Sequence, residues 1–389
     1  MSDLPVAIAG GGIAGLSAAL ALARAGRAVQ LFERETRRTE EGAGLQLSPN
    51  ATRHLRDWGV LPKLDGIALT PERVIVRRAA DAAVLSELDL RDAEARWGAP
   101  FRVAHRADLH AALMAAAEAD PQIVIHSGAS VTGWHAAADR LILETEAGAF
   151  DAAAVVVADG VRSSLRENVT VEAKPLCHSG RFAWRTLVSA ERCAAFARRP
   201  ASNLWLGANA HLVHYPLRGG SIVNVVAIVA DGGVNGEGDF WSRGGDPAQL
   251  AHRFAGWHKD ARALIAAAET WRVWPLLCRD APERLADGRI ALTGDAAHPM
   301  MPFLAQGATQ AISDAAALGH AFTRHPDPVV ALRAYESARL ATVRAVVAAS
   351  ERQATIYHLR GPAAAARDLA MRAAGPVGMR TMAGRFWRD

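Results

Sequence analysis

The stretch VAIAGGGIAGLSAALALARAGRAVQLFER, residues 6–34, decides the fold prediction for this chain. The apolar run Val6–Ala9 predicts a short buried strand, and Leu16–Ala25 predicts an apolar helix that ends at Gly26. The segment Ala28–Phe32 is again apolar and predicts the next strand. A strand, a helix and a second strand in this order are typical of a parallel α/β sheet.

The turn between the first strand and the helix carries the glycine spacing G-x-G-x-x-G at Gly10, Gly12 and Gly15. Gly10 permits the tight turn, Gly12 lets a pyrophosphate approach the backbone, and Gly15 allows the helix to pack closely on the strand. Glu33 closes the second strand, where a carboxylate can bind a ribose 2′-hydroxyl. The motif predicts a dinucleotide site without choosing between NAD and FAD. A glycine-rich turn of an ordinary α/β protein is the alternative.

Length and composition exclude several classes of protein. A chain of 389 residues exceeds one ordinary core, so we expect two domains or one large composite. No run of apolar residues is long enough to predict a membrane helix. The apolar N-terminus lacks a basic leader, and the three cysteines are sparse, which favours a cytoplasmic protein without disulfides.

The net charge is +4 and the pI about 9.3, but the basic residues are scattered and form no patch. Nucleic-acid binding is therefore not predicted. We expect the positive charge to favour the binding of an anionic substrate or cofactor instead. The cysteine and histidine spacings match no metal site, and no G-x-S-x-G motif indicates a serine hydrolase.

The middle of the chain is rich in predicted strands. Residues 71–90 alternate apolar and polar side chains, as half-exposed antiparallel strands do, and residues 180–230 contain four further strand-like segments. After Ile290–Leu292 the pattern is helical almost to the end. Flanks of α/β character therefore enclose a β-rich insert.

Two later motifs complete a recognisable set. VVVADGVRSSLRE, residues 155–167, ends an apolar strand in Asp159-Gly160. ALTGDAAHPMMPFLAQGATQAISDAA, residues 291–316, places Gly294-Asp295 directly after another apolar run. With the N-terminal glycines, these motifs resemble the single-component FAD-dependent aromatic hydroxylases, which include the 4-hydroxybenzoate, 3-hydroxybenzoate, salicylate and 6-hydroxynicotinate hydroxylases.

The resemblance implies an α/β fold, in which a Rossmann-like, three-layer FAD-binding domain is interrupted by a β-sheet substrate domain and followed by a helical C-terminus. The FAD-binding parts are expected over residues 1–70, 101–175 and 276–325. Substrate-domain strands are expected over 71–100, the β-sheet substrate domain over 176–275, and the helical C-terminal region over 326–389.

The resemblance also assigns cofactor residues. Asp295 would bind a hydroxyl of the ribityl chain, and a helix that starts near Gly307 and Ala308 would point its positive end at the flavin pyrimidine. Pro302 would shape the loop over the flavin ring. The complete implied FAD set is Gly10, Gly12, Ile13, Ala14, Gly15, Glu33, Arg34, Gln46, Arg106, Asp159, Gly160, Gly294, Asp295, Pro302, Gly307 and Ala308.

Structural alternatives remain open for several of these residues. Asp295 also suits a helix cap, and Asp159-Gly160 also suits a tight turn after a strand. Arg106 is compatible with an ordinary surface arginine. Gln46, in GAGLQLSPN, is compatible with a solvated loop.

The candidate substrate residues lie in NAHLVHYPLRGG, residues 209–220. His211 and Tyr215 are four apart on a predicted strand and so face the same side, whereas His214 faces the other side and is expected to be exposed. By resemblance, His211 is the base or the hydrogen-bond partner of a phenol, and Tyr215 positions the substrate. A histidine on a solvated strand face is the alternative for His211.

Three further residues bear on the substrate. Gln46 would look into the pocket. Arg185 suits either a substrate carboxylate or a purely structural role. Phe303 stands where the 6-hydroxynicotinate pattern has a histidine, and it makes this side of the pocket apolar.

At Ser313-Asp314 the related helix often has Glu-Asp. We expect this difference to affect packing or surface charge.

In such hydroxylases, flavin reduced by NADH or NADPH reacts with O2 to form a C4a-hydroperoxide, whose terminal oxygen attacks a phenolic ring. The sequence therefore predicts a monooxygenase for a phenolic aromatic or heteroaromatic carboxylate, with decarboxylation an open possibility and a homodimer expected from the resemblance. The alternatives are an FAD-dependent reductase or oxidase of a non-aromatic substrate, and a non-enzymatic flavin-binding module.

Overall fold

The computed structural model of the protein describes residues 4–36, 43–169, 176–230 and 242–387. These residues form a mixed α/β structure with several sheets and a helical C-terminal region, which confirms the predicted fold class. The proposed division into domains stays a prediction, and its boundary at residue 175 lies outside the described residues.

The strands are β1 Val6–Ala9, β2 Val29–Glu33, β3 Gly44–Leu47, β4 Arg73–Arg78, β5 Val84–Asp89, β6 Arg102–His105, β7 Ile123–Ser127, β8 Val131–Ala136, β9 Leu141–Thr145, β10 Gly148–Ala152, β11 Ala154–Val157, β12 Cys177–Ser189, β13 Ala201–Gly207, β14 Ala210–Leu217, β15 Ile222–Ala230, β16 Arg243–Gly245, β17 Trp271–Cys278, β18 Ala286–Asp287 and β19 Ile290–Leu292. The helices are α1 Ile13–Arg24, α2 Pro49–Asp57, α3 Ala93–Trp97, α4 Arg106–Glu118, α5 Pro247–Arg253, α6 Lys259–Ala266, α7 Gly307–Arg324, α8 Pro328–Tyr357 and α9 Gly361–Phe386.

The N-terminal motif builds a six-stranded sheet with the strand order β18-β19-β11-β1-β2-β7, which is parallel except for the short edge strand β18. Strand β1 lies between β2 and β11 and pairs with both in parallel, while β11 pairs in parallel with β19. All four residues of β1 are buried, as expected for a parallel strand that is covered on both faces. The carboxyl ends of β1, β11 and β19 therefore meet at one edge of the sheet, directly before the three sequence motifs.

The β-rich insert forms a large sheet with the strand order β16-β17-β12-β15-β14-β13-β4-β5. Its neighbours pair antiparallel except for β13 and β4, which are parallel. The strands predicted within residues 180–230 are present. Strand β14, which carries His211 and Tyr215, is flanked by β13 and β15 and therefore lies inside the sheet.

One expectation about β14 is wrong. His214 is buried, not exposed, because the second face of the sheet is also covered. Its ring packs against Phe196 and Trp205, and the same apolar cluster includes Leu250 of α5 and Leu264 of α6. The alternation of β14 thus separates two buried faces rather than a buried face from a solvated one.

The C-terminal helices cover the far end of the large sheet. Helix α8 packs on α7, and α9 packs on β5. Inside α9 the backbone leaves helical geometry at Gly375, just before Pro376, and the Ser86 hydroxyl donates to the Gly375 carbonyl at 3.0 Å. Across the described residues, no helix is both long and apolar enough to span a membrane.

Candidate active site

A cavity of about 510 Å³ opens at the edge where the carboxyl ends of β1, β11 and β19 meet. It extends from the start of α1 to the start of α7 and onward to the large sheet. The predicted residues that line it are Gly10, Gly12, Ile13, Ala14, Glu33, Arg34, Gln46, Arg106, Asp159, Gly160, Arg185, His211, Tyr215, Asp295, Pro302, Gly307 and Ala308. The structure thus collects side chains from distant parts of the chain around one space.

Two predicted cofactor residues do not line the cavity and instead shape its wall. A Cβ on Gly15 would lie 1.8 Å from the Gly10 carbonyl oxygen, so α1 can pack against the turn only with glycine there. Gly294 has φ +57°, and a Cβ on it would lie 2.7 Å from the Cβ of Ala14. Both glycines allow the loop backbones to approach α1 closely.

The turn at the start of α1 is fixed by buried polar contacts. The Gly11 amide donates to Glu33 Oε2 at 2.7 Å, and His110 Nε2 lies 2.8 Å from the Gly11 carbonyl oxygen. The helix N-terminus behind this turn presents backbone amides and the positive end of its dipole to the cavity. This end of the cavity suits a pyrophosphate, with the Glu33 carboxylate beside it for a ribose.

The second and third motifs are joined by Arg166. Its buried guanidinium donates to the carbonyl oxygen of Ala296 at 2.7 Å and to that of Ala297. Burial, with repulsion from Arg279, lowers the pKa of Arg166 to about 10, which leaves it charged at neutral pH. The loop that follows β11 therefore holds the loop that carries Asp295.

Asp314 of α7 also holds the loop that carries Asp295. The sequence patterns did not assign Asp314 to the site. Asp314 accepts from His298 Nε2 at 2.6 Å, from Arg339 Nε at 2.8 Å and from the Gly294 amide at 3.1 Å. Burial opposes its ionisation, but His298 and Arg339 outweigh that effect and lower its pKa to about 2. The adjacent Ser313, where the related helix often has Glu, is also buried. This difference from the related helix therefore affects packing and not surface charge.

The far end of the cavity lies against β12 and β14. Tyr215 is buried, and burial raises the pKa of its hydroxyl above the usual value. The Arg185 guanidinium lies 5.4 Å from the centre of the Trp274 ring. Among the described residues, its Nε has no hydrogen-bond partner. Burial and the nearby Arg106 lower the pKa of Arg185, while Tyr215 opposes that shift.

A second cavity of about 300 Å³ adjoins the first, and His211, Gln46 and Pro302 line both. Gln46 is on β3, not in a solvated loop, and its Oε1 accepts from the Ser202 hydroxyl at 3.3 Å. Phe303 lines only the second cavity and is buried. The remaining wall is mostly apolar and reaches the methionines and Trp387 of the C-terminal region.

His211 stands between these two spaces. Its ring centre is 4.8 Å from that of Phe303, and its Nδ1 is 2.9 Å from Nε2 of His358, at the end of α8. Burial, with repulsion from His358 and Arg181, lowers the pKa of His211 well below 6.5. His211 is therefore a neutral imidazole at physiological pH.

These features fit FAD. The glycine turn and the start of α1 match its pyrophosphate, and Glu33 is placed for the ribose. Asp295 lines the cavity between that end and the start of α7, where a ribityl chain would run. The N-terminus of α7, at Gly307, offers a positive dipole end to a reduced flavin ring. The described residues contain no cluster of side chains able to hold a metal ion.

Comparison with known proteins identifies the class as FAD-dependent aromatic monooxygenases. A family model described as an FAD binding domain matches residues 3–350. The 3-amino-4-hydroxybenzoate 2-monooxygenase PtnB3 of Streptomyces platensis is 38% identical over 370 residues, covering 94% of this chain and 92% of the relative. The 3-hydroxybenzoate 6-hydroxylase of Polaromonas naphthalenivorans (strain CJ2) is 32% identical over 364 residues, covering 92% and 90%.

Solved structures agree on the fold. A salicylate hydroxylase substrate complex has a TM-score of 0.83 at 24% identity and covers 98% of this chain and 95% of its own. Klebsiella pneumoniae HpxO complexed with FAD and uric acid has a TM-score of 0.85 at 24% identity and covers 98% and 96%. The chain belongs to the FAD binding domain family. It is an FAD-dependent aromatic hydroxylase that uses NAD(P)H and O2.

Proposed function

We propose that the protein hydroxylates a hydroxybenzoate whose ring lies where the two cavities meet, with its phenol oxygen at His211. The observation that carries this proposal is that His211 lines both cavities. The relatives PtnB3 and the Polaromonas enzyme are named for hydroxybenzoate substrates, which supports the same substrate class here.

The chemistry divides between cofactor and protein. FAD, when bound and reduced by NAD(P)H, supplies activated oxygen for transfer to the ring. Gly10, Gly12 and Glu33 bind its ADP half in this proposal, and Asp295 binds the ribityl chain. The protein orients the ring next to the flavin site and excludes water from it, which favours transfer of oxygen over its loss as peroxide.

Arg185 is the proposed partner of the substrate carboxylate. It lies on β12 at the far end of the first cavity, and its Nε has no hydrogen-bond partner among the described residues. A cation–π contact with Trp274 helps to hold the guanidinium in place. A carboxylate would satisfy this cation and raise its lowered pKa, so binding of an anionic substrate is favoured over that of its neutral amide.

The apolar second cavity argues for a benzene ring in preference to a pyridine. Phe303 provides no hydrogen-bond donor or acceptor, and a ring nitrogen left without a partner there would lose its contact with water. The same wall keeps the space around the reacting carbon dry. Tyr215, whose raised pKa keeps it protonated, is the proposed donor that orients the substrate.

Binding measurements on the FAD-loaded protein test this proposal. Titration with 3-hydroxybenzoate should perturb the flavin spectrum, whereas 3-hydroxybenzamide should bind roughly tenfold more weakly or worse. Arg185→Met should remove this preference, while Arg24→Met, a change at an exposed arginine, should preserve it. Equal affinity for acid and amide in the unmodified protein would contradict the role of Arg185.

A further inference from the structure

We infer that His358 is a positioning residue, whose Nε2–H donates to His211 Nδ1 and leaves His211 Nε2–H as a hydrogen-bond donor to the substrate phenol oxygen. The 2.9 Å distance between the two ring nitrogens, both in buried rings, is the starting observation. The role toward substrate rests on the proposed function, whereas the position of the protons rests on the geometry of the pair alone.

A single proton occupies the hydrogen bond between two neutral imidazoles, so one ring donates and the other accepts. His358 Nδ1 is buried and has no hydrogen-bond partner among the described residues. If His358 accepted through Nε2, its proton would lie on Nδ1 as a buried donor without an acceptor. Buried N–H groups without partners are rarer in proteins than acceptors without partners. The pair is therefore more stable when His358 carries its proton on Nε2 and donates.

The charges around the pair keep both rings neutral. Arg181 of β12 and Arg367 of α9 are the cations that act on His358, and Tyr357 packs against His211 with a buried hydroxyl that is not ionised. Burial, then Arg181 and Arg367, lower the pKa of His358 to about 4. Arg367 is itself ion-paired with the buried Asp368 at 2.7 Å, so a second proton on either ring would face mainly the cost of burial and the repulsion from Arg181. The donor–acceptor order of the pair is thus preserved at neutral pH.

Which of the two rings donates decides whether His211 can act toward the substrate as a base or as a hydrogen-bond donor. With Nδ1 accepting from His358, the proton of neutral His211 lies on Nε2, the nitrogen left for the cavities. That nitrogen donates a hydrogen bond, so it stabilises a phenolate oxygen and does not remove the phenol proton. His211 contacts the substrate, whereas His358 acts through His211.

Proton positions in the resting protein test the inference without any substrate. In protein labelled with ¹⁵N-histidine, long-range ¹H–¹⁵N correlation spectra distinguish the two neutral forms of each ring, and single variants assign the signals. We expect His211 and His358 both protonated on Nε2. A proton on Nδ1 of His211 would overturn the inference and would leave the proposed substrate class untouched.

Variants at position 358 test the consequence. His358→Gln keeps an N–H donor and should stay near the unmodified kcat/KM, whereas His358→Leu should lower kcat/KM by about tenfold. In His358→Leu the repulsion from His358 is lost while burial and Arg181 remain, so the pKa of His211 should rise but stay below 6.5, and the acidic limb of the pH profile should shift upward. His320→Leu, at an exposed position, is the control. Unchanged kinetics and pH profile in His358→Leu would contradict a positioning role.

Proton release on ligand binding distinguishes His211 acting as a hydrogen-bond donor from His211 acting as a base. A nitro-substituted 4-hydroxybenzoate, whose phenolate is coloured, is mixed with weakly buffered protein below the pKa of its phenol. If His211 donates, the phenolate colour appears and about one proton per bound ligand enters the solution. Colour without proton release would mean that His211 took the proton, and it would overturn the inference.

Discussion

Arg166 donates a 2.7 Å hydrogen bond to the carbonyl oxygen of Ala296, which ties the Asp159-Gly160 motif to the Gly294-Asp295 motif. The two motifs are far apart in the sequence but follow adjacent parallel strands, β11 and β19. Their loops form one wall of the larger cavity. The position of Asp295 thus depends on an arginine of the other motif.

Replacing Arg166 should loosen this wall. Arg166→Met leaves the Ala296 and Ala297 carbonyls without their charged donor, so we expect a loss of about 2 kcal/mol in the free energy of unfolding and weaker FAD retention. Denaturant unfolding and the flavin content after gel filtration measure the two effects. Arg24→Met should change neither, and full FAD retention by Arg166→Met would contradict the coupling of the loops.

Asp295→Ala tests the ribityl contact directly. Asp295 is exposed to the cavity, so its removal should cost little stability but should weaken FAD binding by about tenfold or more. Fluorescence titration of the apoprotein with FAD gives the affinity. Asp139→Ala, at an exposed position on another surface, is the matched control. An unaltered affinity would mean that Asp295 only shapes the turn.

Asp314→Asn should strongly destabilise the protein, because it leaves the buried Arg339 and its contacts without a charged partner. The expected loss in free energy of unfolding is about 3–5 kcal/mol. The folded-state pKa of Asp314, about 2, lies below its ordinary value of 3.8. Its contribution is therefore present above the unfolded pKa and is lost as the pH falls toward 2. Urea unfolding at neutral pH tests the change, and a loss below 1 kcal/mol would contradict it.

His214 should make the protein sensitive to mild acid. Burial, with repulsion from Arg77, lowers its folded-state pKa to about 3, below the ordinary value of 6.5. Below the unfolded pKa, protons bind the unfolded chain and not the buried ring, so stability falls as the pH drops from about 6.5 toward 3.

His214→Leu should reduce this pH dependence by up to roughly 1.4 kcal/mol per pH unit. Urea unfolding across mildly acidic pH measures the slope, and His320→Leu should preserve it. Because neither ring nitrogen of His214 has a hydrogen-bond partner among the described residues, the leucine variant should remain folded at neutral pH. Identical slopes for His214→Leu and the unmodified protein would show that His214 titrates normally.

Cys177 and Cys278 are register partners on β12 and β17, and their Sγ atoms are 2.9 Å apart as free thiols. Hydrogen peroxide should oxidise exposed Cys177 to a sulfenic acid, which Cys278 then attacks with loss of water to form a disulfide. Peptide mass mapping should find this pair lighter by two hydrogen atoms, with Cys193 free. Oxidation of Cys177 to a sulfinic acid without cross-linking would contradict the expected pairing.

The local part of the fold was predictable because its causes are local. An apolar run, a glycine turn and an apolar helix identify β1, α1 and β2 within one segment, and the strand alternation identifies the large sheet. The opening residues of α7 were expected at Gly307 and are found there. The placement of His211 and Tyr215 at one cavity follows from the period of a strand.

The features that sequence patterns missed depend on distant packing. Asp314 meets Arg339 only because α8 packs on α7, and His211 meets His358 only because α8 ends beside the large sheet. The burial of His214 was missed because alternation in one strand does not reveal what covers each face. Periodicity reports the direction of a side chain, whereas the partner depends on the tertiary arrangement.

The most direct test of the account is to follow NADH and NADPH oxidation by the FAD-loaded protein with 3-hydroxybenzoate, 3-amino-4-hydroxybenzoate and salicylate, while measuring hydrogen peroxide. We predict that at least one of these three phenolic acids strongly stimulates oxidation with little peroxide and is converted to a hydroxylated product. Failure of every member to stimulate oxidation, or stimulation that yields only peroxide with each, would contradict the proposed hydroxybenzoate hydroxylase.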